Sequence, residues 1–405
     1  MQAQRALTKH VISHLFEQIH GGSFAVVYND GTSTRYGEGE PQFTIRLHDD
    51  DVLSLARGDL LMNFGEAYMK GRIDVEGDLA DLMSLALRSG LVSATQTGYA
   101  GTVLCLAGKV RSLSSVKENI SRHYDLGNDF FRLWLDKSLT YSCAYFRNAS
   151  DTLEQAQQQK IEHSLKKLRL QPGETLLDIG CGWGSLVMHA AEHFDTRAVG
   201  ITLSEEQFQG ANSAIKSRKL QDRAKVRLMD FSSLAASGEQ FDNIVSIGMI
   251  EHVGKAHLAE FVRDVETLLK PGGLALLHTI TSVREGPVNR WIEEYIFPGG
   301  YIPTLPEVIT HLSERDLRIW DVENLAPHYR LTLDEWSHRF EGAVPTVLEK
   351  FNESFVRMWR LYLRTSSAAF REGAVEVHQL LVSRGKPNRL PLTREDIYQR
   401  RKPSQ

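Results

Sequence analysis

Three glycines at alternate positions follow an apolar run near the middle of the chain. The run Thr175–Ile179 is typical of a buried strand, and Gly180, Gly182 and Gly184 come directly after it. Residues 185–194 then have the composition of a helix. A strand, a tight glycine turn and a helix begin a nucleotide-binding α/β fold, because glycine lets the backbone approach a ligand at the helix N-terminus.

The residue after the third glycine narrows the choice of ligand. A dinucleotide fingerprint requires another glycine at position 185, where this chain has Ser185. The sequence therefore favours S-adenosylmethionine (SAM), which carries no pyrophosphate, over NAD. A tight turn that binds nothing is the alternative, because short motifs also occur by accident.

Polar residues also stand at the ends of later predicted strands, where parallel α/β sheets bind their ligands. Thr202 ends the second strand and Gln207 follows, where many nucleotide-binding folds carry an acid for a ribose. Asp230 ends the third strand and can hydrogen-bond an adenine amino group. The remaining two strand ends carry Glu251 with His252, and His278 with Thr279.

Each of these residues has a structural explanation when it is taken singly. A histidine at a strand end, such as His278, is more often a satisfied core residue than a catalytic one. A glutamate such as Glu251 is also explained by a position near a helix N-terminus, where a negative charge is favourable. Thr202 and Gln207 are also explained by helix capping. Only their joint occurrence in matching motifs makes a functional site the better interpretation.

The elements that must position these residues alternate along the second part of the chain. Strands are predicted at 175–179, 198–202, 226–229, 244–247 and 274–280. An amphipathic helix is predicted at 153–168, and turns at 172–173 and 271–273. Strands separated by helices indicate an α/β fold with a parallel sheet and right-handed crossovers.

Residues 1–110 have a different pattern, which predicts a small α+β domain. Short strands are predicted at 23–28, 32–36 and 43–47, the first two around an Asn-Asp-Gly turn. Helical spacing of apolar residues covers 52–69 and 79–88. The stretch 90–115 is rich in Gly, Ser, Thr and Ala, which indicates a linker with some helix.

Composition excludes several classes of protein. With 42% hydrophobic and 24% charged residues the chain is neither disordered nor fibrous, and a net charge of −4 does not draw in nucleic acid. Cys105, Cys143 and Cys181 do not make a disulfide framework. His10 and His14 lack the glutamate of a zinc-protease helix, so no metal site is expected. Without a spanning apolar run or a signal-like N-terminus, we expect a cytoplasmic protein.

Longer segments on both sides of the glycine turn carry a more specific signal. They are RHYDLGNDFF at 122–131, YSCAYF at 141–146, SIGMIEHVG at 246–254, LHTI at 277–280 and IFPGG at 296–300. In this order and spacing, over about residues 116–385, they resemble the cyclopropane-fatty-acyl-phospholipid synthase family, whose relatives include the mycolic acid cyclopropane synthases. The segment FGEAYM at 64–69 resembles the small N-terminal domain of the phospholipid-acting branch.

This resemblance implies a fold and a domain order. The expected catalytic domain, 111–385, is a class I SAM-dependent methyltransferase with a Rossmann-like, mostly parallel sheet. A small N-terminal α+β domain, 1–110, is expected to dock on lipid or membrane. A basic C-terminal tail, 386–405, is expected to be a solvated end.

The resemblance also implies a reaction. In the family, the methyl group of SAM is transferred to a cis double bond of an acyl chain, and the resulting carbocation loses a proton as a cyclopropane ring closes. Such chemistry needs a sulfonium held close to the alkene, a dry pocket and a general base. The family is understood to hold a bicarbonate ion as that base. Its ligands correspond here to Cys143, Glu251, His278, Ile280 and Tyr329.

The SAM contacts implied by the resemblance lie on the motifs already described. They are Tyr141, Ser142, Leu177, Asp178, Ile179, Gly180, Cys181, Gly182, Trp183, Gly184, Thr202, Leu203, Gln207, Asp230 and Phe231.

The resemblance further implies a phospholipid acyl chain as substrate, transient peripheral contact with the inner face of the membrane, and a homodimer. Residues 296–303 and the N-terminal domain are candidates for the docking surface. The chain departs from several family members at Ser366, where they carry a cysteine. Two alternatives stay open: a fatty-acyl C-methyltransferase that makes a methyl-branched or methylene product, and a non-catalytic lipid-binding protein.

Overall fold

The computed structural model describes residues 13–14, 16–49, 59–90, 126–387 and 390–398. Cys105, His10, the predicted linker from 91 to 115, the helical stretch from 52 to 58 and the segment 122–125 lie outside them. The described residues belong to two compact units. The first unit takes its residues from 1–110, 287–298 and 333–375, and the second takes the remainder. The domain boundaries at 110 and 385 stay a prediction.

The elements are listed here in chain order. The strands are β1 (Phe24–Val27), β2 (Ser33–Tyr36), β3 (Thr44–Leu47), β4 (Ile73–Glu76), β5 (Thr175–Ile179), β6 (Arg197–Thr202), β7 (Ala224–Leu228), β8 (Phe241–Ile247), β9 (Leu269–Ser282), β10 (Leu317–Asn324) and β11 (Val375–Arg384). The helices are α1 (Leu60–Met69), α2 (Leu79–Arg88), α3 (Asn128–Arg132), α4 (Leu153–Lys167), α5 (Ser185–His193), α6 (Glu205–Ser217), α7 (Phe231–Ala236), α8 (Ile250–Val253), α9 (Leu258–Leu268), α10 (Arg290–Tyr295), α11 (Leu305–Ser313), α12 (Ala326–Leu348), α13 (Glu353–Arg371) and α14 (Glu395–Tyr398).

The first unit contains a four-stranded sheet in the order β2-β1-β3-β4. The three strands predicted in residues 1–50 are confirmed, and the turn between β1 and β2 is held by the Asp30 carboxylate, which accepts from the Thr32 N–H at 3.0 Å. Sequence analysis missed β4. Its sequence, Ile-Asp-Val-Glu, is too short to show a convincing alternation.

Three arginines on one face of α13 bind the other elements of the first unit. Arg357, Arg364 and Arg371 stand seven residues apart, which places them along one side of the helix. Arg364 Nε donates to the carboxylate of Asp78, the N-cap of α2, at 3.0 Å. Arg357 donates to the carbonyl of Ile73 at 2.6 Å. This side of α13 therefore fastens α2 and β4.

The second unit is built on a seven-stranded sheet in the order β10-β11-β9-β8-β5-β6-β7. The five strands predicted from 175 onward are confirmed, and they pair in parallel. Side chains alternate along β5: Leu177 and Ile179 enter one apolar core and Leu176 enters the other, so the sheet is covered on both faces.

Two features of the sheet differ from the sequence predictions. β9 begins at Leu269, so the turn predicted at 271–273 is an irregularity inside the strand, where its register with β8 shifts between Phe241 and Asn243. The antiparallel strands β10 and β11 were not predicted. Asp321 and Glu323 stand on the more buried side of β10, so the sequence of this strand does not alternate between apolar and polar residues.

The described C-terminal tail is exposed from 391 to 396, and two contacts attach it to the rest of the fold. Arg394 pairs with Asp321 at 2.7 Å, and Ile397 in α14 is buried. The expected solvated end stays a prediction, and these two contacts hold part of it to the fold. Among the described residues, none of the helices combines the length and the apolar composition needed to cross a membrane.

Candidate active site

The glycine turn after β5 takes the left-handed backbone that its sequence predicts. Gly180 has φ +79°, Gly182 +56° and Gly184 +78°, all in the region that favours glycine. The N–H groups of Gly180 and Cys181 both donate to the carbonyl of Ile201 at 3.0 Å. The turn is therefore bonded to the end of β6, and its open side faces a cleft.

This cleft lies in the second unit, at the carboxyl ends of β5, β6, β7 and β8. All but two of the residues implied as SAM contacts line it: Tyr141, Ser142, Asp178, Ile179, Gly180, Cys181, Gly182, Trp183, Thr202, Leu203, Gln207, Asp230 and Phe231. The other two lie behind the lining. Leu177 is buried in the core. Gly184, just before α5, packs its backbone against Ala211 of α6.

An aromatic wall closes one side of the cleft. The indole N–H of Trp183 donates to the side-chain carbonyl of Asn128 at 2.7 Å. The Phe131 ring lies 5.6 Å from the rings of both Tyr141 and Trp183. Such packing fixes the two cleft-lining rings without using their exposed faces.

The polar residues after β6 and β7 are held by local hydrogen bonds. The Thr202 hydroxyl donates to the side-chain carbonyl of Gln207 at 2.7 Å, while Ser204 is the N-cap of α6. Thr202 and Gln207 therefore belong to the hydrogen-bonded N-terminus of α6, where the Thr202 hydroxyl also accepts from the Ser204 N–H at 3.2 Å, and both residues line the cleft as well. Asp230 is the N-cap of α7 and accepts from the Ser233 N–H at 2.7 Å, which aims its carboxylate at the cleft edge.

One buried face of α4 carries polar residues, and sequence analysis missed their role. Gln157, Lys160, Ser164 and Lys167 recur at helical spacing and are all buried. The Gln157 amide donates to the carbonyl of Ser142 at 2.8 Å, and the Lys160 ammonium donates to the Ser142 hydroxyl at 2.8 Å. Helix α4 therefore positions the segment that contributes Tyr141, Ser142 and Cys143. Polar residues at the buried positions of a predicted amphipathic helix are the signal that could have found it.

The cleft lining contains buried charges of opposite sign. Burial lowers the pKa of Lys160 to about 8, against the opposing effects of Cys143, Asp136 and Asp178. Burial raises the pKa of Asp178 to about 7, and the Lys160 charge opposes that rise. The two side chains thus influence each other across the lining.

Glu251 and Ile280 of the implied bicarbonate site meet directly. The Glu251 Oε1 atom accepts from the Ile280 N–H at 2.6 Å, so that N–H is already used within the protein. The Glu251 Oε2 atom is buried and has no hydrogen-bond partner among the described residues. Burial raises the pKa of Glu251 to about 7, and the bond from Ile280 opposes the rise.

His278 is a neutral, buried histidine whose hydrogen-bond partner indicates its tautomer. The Gln379 amide donates at 3.1 Å both to His278 Nδ1 and to the Ser164 hydroxyl oxygen. Burial, together with Lys160 and Lys167, holds the pKa of His278 well below its usual range. Because Nδ1 accepts, the ring proton is on Nε2, which makes that atom a donor. Gln379 lies on β11, a strand that sequence analysis did not identify.

Cys143 and Tyr329 both approach the carbonyl of Leu325, just before α12. The Cys143 thiol lies 3.8 Å from the carbonyl of Leu325, which also accepts from the Tyr329 N–H at 3.1 Å. Burial raises the pKa of the Cys143 thiol far above its usual range, so it is a neutral thiol and not a nucleophile. The structure thus brings Glu251 to Ile280, and it brings the Cys143 thiol and the Tyr329 backbone to the same carbonyl, that of Leu325. The charge of Lys160 acts on the pKa values of both Cys143 and His278.

The parallel sheet, the glycine turn and the cleft at the strand ends define a class I SAM-dependent methyltransferase. A family model described as mycolic acid cyclopropane synthetase matches residues 111–380. The chain belongs to this family. A second model, described as a domain of unknown function (DUF7884), matches residues 11–96.

Curated relatives and solved structures agree with this assignment. The chain is 37% identical to the cyclopropane-fatty-acyl-phospholipid synthase of Escherichia coli K12, over 86% of this chain and 90% of the relative. It is 36% identical to a protein of Pseudomonas putida named "Probable fatty acid methyltransferase", over 88% and 92%. The crystal structure of the mycolic acid cyclopropane synthase CmaA1 complexed with SAH and CTAB has a TM-score of 0.62 and 37% identity, over 66% of this chain and 98% of that one.

Proposed function

We propose that this protein uses SAM to convert the cis double bond of unsaturated phospholipid acyl chains into a cyclopropane ring. The observation that carries the proposal is the Glu251 carboxylate just after β8: its Oε1 atom accepts from the Ile280 N–H, and its buried Oε2 atom has no hydrogen-bond partner among the described residues. Glu251 belongs to the same unit as the cleft, and it follows β8, whose last residue lines the cleft.

The residues of the cleft fit SAM. In this proposal Asp230 binds the adenine amino group, and Thr202 and Gln207 bind ribose hydroxyls. All three line the cleft, and the glycine turn lets the ligand approach the backbone. The sulfonium of bound SAM supplies an electrophilic methyl group. The fixed rings of Tyr141 and Trp183 offer electron-rich faces and help to exclude water.

The residues near Glu251 fit a small oxyanion such as bicarbonate. The buried Glu251 Oε2 atom without a partner can accept the acidic hydrogen of such an ion. His278 Nε2–H and the Tyr329 hydroxyl supply donors. Bound bicarbonate would supply the base that removes the surplus proton from the transferred carbon.

The protonation states of His278 and Cys143 exclude both side chains as the base. The Nδ1 lone pair of His278 is used by Gln379, and its Nε2 carries the proton. The Cys143 thiol is neutral because its pKa is raised. Neither group is free to accept a proton at neutral pH, which leaves Glu251 to orient the base or assist it.

A fatty-acyl C-methyltransferase is the second candidate, and the name of the Pseudomonas putida relative favours it. Both reactions pass through the same cation and differ in where the proton leaves. The first proposal has three further parts. One acyl chain leaves the bilayer and enters an apolar pocket of the protein. Residues 296–303 and the N-terminal domain contact the membrane transiently, and two copies of the chain associate.

The deciding experiment follows the hydrogens of the transferred methyl group. The full chain is incubated with SAM carrying a trideuterated methyl group and vesicles of one defined monounsaturated phospholipid. A ring retains two of the three deuterium atoms, whereas an unsaturated methyl branch, formed when the proton leaves a carbon of the chain, retains all three. A methylene product also retains two, but it is reduced by mild hydrogenation that leaves a ring intact. Absence of SAM consumption on these vesicles would support a non-catalytic lipid-binding protein instead.

A further inference from the structure

Lys160 is a buried cation that the proposed reaction does not yet use. Its side chain is 3% exposed and lines the cleft from the third turn of α4. Its ammonium donates to the Ser142 hydroxyl at 2.8 Å. No carboxylate of the described residues lies within ion-pair distance of this ammonium. A buried ammonium without a close anion is costly, so its place at a ligand cleft calls for a ligand anion.

The acidic groups around Lys160 do not supply that anion. The carboxylate of Asp136 is engaged by the N–H groups of Ser138 and Thr140, both at 2.9 Å. Asp178 lines the same cleft but stands apart from the ammonium. Besides Asp230 at the end of β7, the cleft therefore presents the Lys160 ammonium and, separated from it, the Asp178 carboxylate. This arrangement is complementary to the amino-acid end of SAM, which carries a carboxylate and an ammonium.

The hydrogen bond between Lys160 and Ser142 also determines what Ser142 can do. Because the Ser142 oxygen accepts from an ammonium, its own hydrogen is directed elsewhere and is available as a donor. We propose that Lys160, together with the Ser142 hydroxyl that it orients, receives the carboxylate of SAM, while Asp178 receives the ammonium. This inference rests on the proposed binding of SAM and adds the residue that recognises its amino-acid end.

The test compares two ligands that differ only in the carboxylate. Affinities for SAM and for decarboxylated SAM are measured by titration calorimetry with the full chain and with Lys160→Met and Lys160→Arg. A charge-assisted contact predicts that Lys160→Met binds SAM roughly 10- to 100-fold more weakly and binds decarboxylated SAM within about threefold of the native protein. Lys160→Arg should keep most of the preference for SAM. Lys166→Met is the matched control, because Lys166 is on the same helix but pairs with Glu162.

Each outcome decides between the inference and the proposed function. Equal losses for both ligands, or no loss for either, would overturn the role of Lys160. A native protein that binds neither ligand would overturn the proposed function itself, whereas native binding with an unchanged preference in Lys160→Met overturns only the inference. If circular dichroism shows that Lys160→Met does not fold, the affinities of Lys160→Arg and Ser142→Ala for SAM and for decarboxylated SAM test the inference instead. Ser142→Ala must then weaken SAM more than decarboxylated SAM.

Discussion

The side-chain amide nitrogen of Gln379 lies 3.1 Å from Nδ1 of His278, and both side chains are buried. This contact joins β11 to β9 and selects the tautomer in which Nε2 carries the proton. Gln379 is therefore a positioning residue for His278, and Ser164 on α4 holds the same amide from the other side.

Gln379→Glu should move the histidine proton. A carboxylate can only accept, so Nδ1 of His278 becomes the donor and Nε2 loses its role toward an anion. We expect turnover to fall by about 10- to 100-fold with little change in SAM affinity. Nitrogen NMR shifts of labelled histidine, assigned with His278→Asn, report the tautomer. Gln209→Glu, at an exposed glutamine on α6, is the control. An unchanged tautomer in Gln379→Glu would contradict the assignment.

Glu251→Gln should separate catalysis from cofactor binding. The amide oxygen can still accept from the Ile280 N–H, but the charge is lost. We expect kcat to fall by roughly 100-fold or more, while the Kd of SAM stays nearly unchanged. Single-turnover kinetics and calorimetry measure the two quantities. Near-normal turnover would refute the role given to Glu251.

The pH dependence of turnover should report Glu251. Burial raises its pKa to about 7, so the carboxylate is protonated below that pH and ionised above it. Since only the ionised form accepts from the proposed anion, kcat at saturating SAM should rise as pH increases through about 7. The rise should be missing in Glu251→Gln. A kcat of the native protein that does not change between pH 6 and 8 would be inconsistent with this assignment.

Cys143→Ser should retain most of the activity. The thiol is buried and neutral, so its implied contribution is its backbone position and not nucleophilic attack. A serine hydroxyl can donate to the Leu325 carbonyl that the thiol approaches. We expect kcat within about tenfold of the native value. Complete loss of activity in a folded Cys143→Ser protein, as judged by circular dichroism, would argue for a chemical role of the thiol.

Arg364→Met should destabilise the first unit. Arg364 is mostly buried and its guanidinium binds the carboxylate that caps α2, so the substitution leaves Asp78 without this partner. We expect the free energy of unfolding in urea to fall by about 1–3 kcal/mol. Arg223→Met is the matched control, because Arg223 is half-exposed and its surface pair with Asp195 is worth about 0–1 kcal/mol. Equal effects of the two substitutions would contradict the expectation.

Much of the second unit could be predicted from the sequence because its signals are local. The apolar run before Gly180 and the glycines at alternate positions act within a few residues, and the structure confirms both the strand and the left-handed turn. The strand ends that carry Thr202, Asp230 and Glu251 follow from the same alternation of strands and helices. The resemblance to the cyclopropane synthases, carried by such local segments, is confirmed by the family match.

The sequence by itself thus determined the fold class, the family and most of the cleft lining. Only the tertiary structure decided the partners of the buried polar groups: Lys160 with Ser142, Gln379 with His278, and Lys167 with Glu323. These pairs join positions far apart in the chain, and their charged or amide side chains occupy inward positions that a hydrophobic pattern leaves out. Burying a polar side chain costs free energy unless a partner hydrogen-bonds to it. The pattern of residues along the chain does not show which distant residue that partner is.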